Sequence, residues 1–340
     1  MARIDRRVLL GQLAALSIAP RLARADTVTD GAGRAVAIPK RVTKVFAAVG
    51  PAAVMLYTLA PELLIGWPRR LAAGACDFVT AQACKLPLTG PIAGTGGKLN
   101  TEELLNHAPD LILDVGSLSA SFASLAERVE QQTGIPYALL DGRLTAAPAA
   151  YRQLGQLVRR EPDAERLATH AARTIDTIRE RVARIPIERR PRVYHARTAN
   201  GLNTPLPGSI NLDPFEIVGA KNVASELRGG ANVTIEQVLS WDPEMIITID
   251  REFAGMVAKD AVWKELTAVK SGRVYLAPDL PFGWINFVPS VNRLVGLWWL
   301  AKKLYPRDFP EDIAPMVRGF YALFYHVDVD DAQIAKLLNG

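Results

Sequence analysis

The chain has 340 residues, 49% hydrophobic and 22% charged, which is enough apolar material to bury more than one core and too much for a disordered chain. Its formal net charge of +5 is concentrated at one end, because residues 1–25 hold five arginines and one aspartate and the remainder carries 5 − 4 = +1. A near-neutral body without an RNA- or DNA-binding motif argues against a nucleic-acid partner.

Arg3, Arg6 and Arg7 precede an apolar run over residues 8–19, and Ala23-Arg24-Ala25 has the small-x-small form of a cleavage site. The run is too short to span a bilayer, so residues 1–25 read as an export signal cleaved near Ala25. Asp5-Arg6-Arg7-Val8-Leu9-Leu10 resembles a twin-arginine signal, with Asp5 where serine or threonine is usual. No cysteine precedes Cys76, and the mature protein is expected to be free in the periplasm. Cys76 and Cys84 lie in an alanine- and glycine-rich loop. There a local disulfide competes with two free thiols or a metal pair.

In chain order, residues 29–34 read as a hairpin turn, 42–49 as a strand and 52–59 as a helix after Gly50-Pro51. Residues 64–67 suggest a second strand, and the glycines at 94, 96 and 97 lack Walker spacing, so they are taken to let the backbone turn beside a cleft. Strands at 111–115 and 135–141 and helices at 119–132 and 149–159 complete a first α/β lobe. Residues 163–185 then carry apolar side chains at Leu167, Ala171, Ile175, Ile178, Val182 and Ile185, one stripe of a helix roughly 35 Å long. Pro162 and Asp163 begin it, and Pro186 stops it. Beyond it, strands are expected at 192–197 and 273–276, helices at 213–218 and 290–304, a rim loop at 198–209 and helical structure over 309–338 that closes the second lobe or folds back on the first.

The long helix is flanked by similar sequence. Superposing Pro109 on Pro243 gives an offset of 243 − 109 = 134, which also pairs Glu102 with Glu236, Leu105 with Leu239, Asp110 with Glu244 and Ile112 with Ile246. Each copy reads as a short helix, a proline turn and a buried strand. The expected architecture is therefore α/β: two Rossmann-like lobes joined by one long helix, with the ligand cleft between them. The lobes span 26–145 and 188–340, with connecting helices over 146–187.

On the paired segments Asn100 to Asp110 and Val233 to Pro243, and on Leu206-Pro-Gly-Ser209 to Gly219-Ala-Lys-Asn-Val223, the chain resembles the periplasmic binding proteins of ABC importers for ferric siderophores, haem and cobalamin. The resemblance covers essentially the whole mature chain. It implies a monomer that binds a small-molecule metal chelate without a cofactor and delivers it to a permease dimer. It also implies that Glu102 and Glu236 dock against permease arginines. Two carboxylates at a fixed spacing suit that role, since a two-fold symmetric partner reads both.

In α/β lobes a ligand binds beyond the carboxyl ends of the strands. The candidates are Trp67, Arg69, Thr95, Ser117, Arg143, His195, Arg197, Ser209, Phe282, Trp284 and Asn286. The arginines suit carboxylate, catecholate or oxyanion oxygens, and the tryptophans a bulky flat cargo. His195 is weighed as an iron ligand. Four histidines, at 107, 170, 195 and 326, do not support a compact site for bare metal. Molybdate, tungstate or a nickel chelate is the alternative cargo. A periplasmic hydrolase or chelatase is the alternative of another class, although no Gly-x-Ser-x-Gly or His-Glu-x-x-His motif is present.

Overall fold

The computed structural model describes residues 26–93 and 100–339. Residues 1–25, read above as an export signal, lie outside them, as do Thr95 and the glycines at 94, 96 and 97. Strands β1 (Thr27–Thr29) and β2 (Ala35–Ala37) form an antiparallel hairpin. Asp30 makes its turn, accepting from the backbone of Ala32 and Arg34 at 3.0 and 2.9 Å and from Leu139 at 3.2 Å, so the hairpin is pinned to the first lobe.

β3 (Val45–Ala47), β4 (Leu111–Gly116) and β5 (Tyr137–Asp141) make a parallel sheet in the order β3-β4-β5. All but the last residue of β4 are buried, as expected of a parallel sheet covered on both faces. Residues 64–67 do not form the expected strand. Leu64 and Trp67 make only isolated bridges, to Val45 and Leu88, and Pro61 and Pro68, which have no N–H, interrupt the pairing on either side. A second parallel sheet follows from β6 (Arg192–Ala196), β7 (Lys221–Asn222), β8 (Met245–Thr248) and β9 (Val274–Leu276), in the order β7-β6-β8-β9.

The repeat at offset 134 is present residue by residue. Helices Thr101–His107 and Ile235–Trp241 are capped by Asn100 and Thr234 and end in left-handed residues, Ala108 at φ 46° and Asp242 at φ 36°. Each of those precedes a proline, which disfavours right-handed helix in the residue before it. Next in each copy, a carboxylate tacks the turn to the neighbouring strand: Asp110 accepts from the backbone of Thr43 and Lys44 at 2.7 and 2.9 Å, and Glu244 from that of Arg192 at 2.7 Å.

Helix Glu161–Ala183 is unbroken over 23 residues and buries Leu167, Ala171, Ile175, Ile178 and Val182. It begins two residues earlier than expected because Pro162 occupies its first turn. Helix Ala147–Val158 crosses it closely at Gly155, where a Cβ would stand 2.5 Å from that of Ala164.

The carboxyl-terminal segment comprises helix Ala314–Phe320, a π-helical turn Tyr321–Tyr325, a left-handed break at His326 and helix Asp331–Asn339. On sequence grounds it closes the second lobe or folds back on the first, and it meets both: Tyr321 donates to the Leu280 carbonyl of the second lobe at 2.5 Å, and two contacts tie the segment to the first. Tyr57 donates its hydroxyl to the Tyr325 carbonyl at 2.7 Å, and Lys336 pairs with Asp77 at 2.8 Å. Asp77 lies in the loop closed by a Cys76–Cys84 disulfide. Among the described residues, no helix is long and apolar enough to cross a membrane.

Candidate functional site

A cavity of about 400 Å³ opens between the lobes. Its walls come from the segments that follow strands: Gly50 after β3, Arg197 after β6, Asp250 after β8 and Pro278 after β9, joined by Trp67 to Arg70 of the first lobe. Parallel strands present their carboxyl ends on one side, so the two sheets bring these turns face to face.

Arg197 is the first residue after β6, and its Nε is buried with no hydrogen-bond partner. Burial lowers its pKa, with no acidic neighbour opposing the shift. A guanidinium is not deprotonated in a protein, so this position holds an uncompensated cation directed at the cavity. The cavity's two carboxylates are already engaged. Asp250 caps the next helix by accepting from Phe253 N–H at 3.0 Å, and Asp279 lies 3.5 Å from Arg251. With Arg69 and Arg70 also on the wall, the site favours an anion.

Trp67, Arg69, Arg197, Phe282 and Asn286 of the sequence candidates line this cavity. Trp67 and Phe282 meet at 5.5 Å between centroids with their planes tilted by 46°, and the Trp67 indole donates to the Ala83 carbonyl at 2.8 Å. Trp284 does not join them. It is fully buried, its indole facing the Leu280 carbonyl and the Tyr321 hydroxyl, so it serves as core and is not available to stack on cargo.

His195 is also turned inward. Its Nδ1 lies 3.1 Å from the Ile247 carbonyl and its Nε2 3.4 Å from Asn286 Nδ2. Burial, with Arg197 adding to it, depresses its pKa to about 4. The neutral ring therefore donates to Ile247 and accepts from Asn286, which leaves neither nitrogen for iron. Its place is behind Asn286.

Ser117, Arg143 and Ser209 do not line the cavity, and Arg143 reaches across to the Gly208 carbonyl of the second lobe at 3.4 Å. Ser117 is exposed, Ser209 caps the short turn after residue 209 through Asn211 N–H, and Arg143 lies 3.6 Å from Asp213. Glu102 and Glu236 are exposed in the first turns of their helices. Among the described residues no group of three or more His, Cys, Asp or Glu is placed to hold a metal ion. Sequence reasoning missed Arg70, Asp250, Asp279 and Phe287. The position of Asp250 just past β8 was a usable signal, whereas nothing local marked Phe287.

Two parallel α/β lobes on one continuous helix, with a cavity at the strand ends between them, define a two-lobed solute-binding protein of the helical-backbone class. The family described as periplasmic binding protein matches residues 72–280, more than half of the chain, and the chain belongs to that family, in the class that serves ABC transporters. The molybdate-binding protein MolA of Haemophilus influenzae is 25% identical over 246 residues, covering 69% of this chain and 67% of MolA. Among solved structures, an ABC transporter solute binding protein from Sulfurospirillum deleyianum is 28% identical with a TM-score of 0.83, over 92% of this chain and 99% of that one. MolA bound to molybdate superposes with a TM-score of 0.75 at 21% identity, over 90% and 99% of the two chains, a likeness of fold.

Proposed function

We propose that the protein is the periplasmic receptor of an ABC importer, capturing an anionic metal chelate of the ferric siderophore, haem or corrinoid kind. It then hands that cargo to a permease dimer that docks on Glu102 and Glu236. The observation that carries this reading is Arg197, a half-buried cation whose Nε has no hydrogen-bond partner, in a cavity of about 400 Å³ walled partly by Trp67 and Phe282. A charge-assisted contact there is strong because water is excluded. A bare tetrahedral oxyanion would leave most of such a volume to water.

One specific observation favours a second reading, molybdate or tungstate: the similarity to MolA, which is named for binding molybdate. Titration with ferric citrate and with sodium molybdate, followed by tryptophan fluorescence, separates the two. Saturable binding of the ferric chelate supports the first reading. Binding of molybdate alone replaces it with the second.

A further inference from the structure

The loop between β9 and the helix Arg293–Leu304 holds the most strained backbone at the cavity. Phe287 and Val288 are consecutive and both left-handed, at φ 59° and 58°, a conformation that a β-branched residue adopts only when its surroundings impose it. Those surroundings are visible on both sides. Asn286, 2% exposed, accepts from the Phe287 N–H at 2.7 Å and is backed by His195. Val288 abuts Gly50 of the first lobe, where a Cβ would come within 3.1 Å of Val288 Cγ1. Within the loop, Gly283 lies so close to the Asn286 carbonyl that a Cβ would stand 1.8 Å from it. The frame is fixed by the fold, and the strain is concentrated at its tip.

The strain holds a ring in the open. Phe287 is 67% exposed, more than Leu88, Leu105, Ile187 or Val262, and it lines the cavity. The other aromatic walls are already occupied, Trp67 by Phe282 and Phe282 by Tyr325 at 6.4 Å. Phe287 has no ring partner among the described residues. The strained turn costs the protein backbone energy, and the exposed ring returns no burial energy to offset it.

We propose that Phe287 is a specificity-determining residue: its ring receives an unsaturated, flat face of the same anionic cargo whose charge Arg197 meets. This rests on the reading of the cargo as an anionic chelate. It adds that the chelate carries aromatic or conjugated groups, which a ring pairs with better than it does with aliphatic carboxylates.

The test compares the ferric complex of 2,3-dihydroxybenzoate with ferric citrate, reading iron retained in equilibrium dialysis for the wild type, Phe287→Ala and Phe287→Trp. The wild type is expected to prefer the aryl complex. Phe287→Ala is expected to lose about tenfold for that complex while holding citrate within twofold, and Phe287→Trp to keep the preference. Equal affinities in wild type and Phe287→Ala, or an equal loss for both probes, overturn the role of Phe287 and leave the chelate reading standing. A wild type that retains neither ferric complex overturns the chelate reading, and this one with it. Because Phe287 is exposed, thermal unfolding of Phe287→Ala is expected to match the wild type, which separates a binding loss from a folding loss.

Discussion

The Arg293 guanidinium lies 3.6 Å from the Asp213 carboxylate, with both side chains at least 96% buried, and each also bonds the backbone of the first lobe. Arg293 donates to the Gly142 carbonyl at 2.6 Å and to Ile210 at 2.8 Å, while Asp213 accepts from Leu144 N–H at 2.6 Å. The two side chains belong to the second lobe, and Gly142 and Leu144 follow β5 of the first. A buried pair therefore closes the boundary beside the long helix. Removing one partner leaves a buried charge without compensation. Asp213→Ala is expected to cost about 3 kcal/mol or more in urea unfolding, well beyond substitution at the exposed Arg152–Glu165 pair.

His195 gives a pH dependence whose sign follows from its position. Its folded pKa of about 4 lies below the ordinary 6.5, so between those values the unfolded chain binds more protons than the folded one. The corresponding stability is fully present above about pH 6.5 and is lost as pH falls towards 4. The span is worth on the order of 3 kcal/mol. His170, whose pKa is also lowered by burial and by Arg173, acts in the same direction. The contribution of His195 is therefore read as the difference in denaturant midpoint between wild type and His195→Gln, measured at pH 7 and pH 5. The difference should narrow at the lower pH.

Arg197 sets binding against stability. Its orphaned Nε costs the free protein part of its stability, since an unsatisfied buried donor is worth about 1–3 kcal/mol. Arg197→Met is expected to raise the unfolding temperature of the unliganded protein and to weaken anion binding by about 10- to 100-fold, as befits hydrogen bonds to a charged group. Calorimetry with and without ferric citrate reads both effects. A variant that binds as tightly as the wild type would remove Arg197 from the site.

The exposed pair Glu102 and Glu236 is expected to act on delivery and not on capture. Glu102→Lys and Glu236→Lys should each leave cargo affinity within twofold. Each should slow uptake through the cognate permease several-fold, and together more than tenfold, with the defect most marked at low salt. Uptake by cells complemented with each variant, set beside titration of the purified protein, checks this.

The parts of the fold written locally were legible. Apolar spacing marked the long helix, and the motif repeated at an offset of 134 marked two lobes, because a cap, a turn before proline and a buried strand each depend on neighbouring residues. Cavity membership depends instead on where chain-distant turns meet. Trp67 and Trp284 look alike in sequence, yet one meets the cavity and the other the Tyr321 hydroxyl in the core. His195 lies in a buried strand, and only the arrival of Asn286, 91 residues further on, shows that its nitrogens are spoken for. The left-handed pair at 287–288 has no local signature, since neither phenylalanine nor valine favours that region.

The return of the chain's end to its beginning has a temporal consequence. Tyr57 and Asp77 each take a partner from the far end of the chain, at Tyr325 and Lys336, so the first 145 residues do not by themselves complete the lobe they form. That lobe stays open-sided until the last turns of polypeptide are in place, and the same turns also meet the second lobe, where Tyr325 faces Asn292.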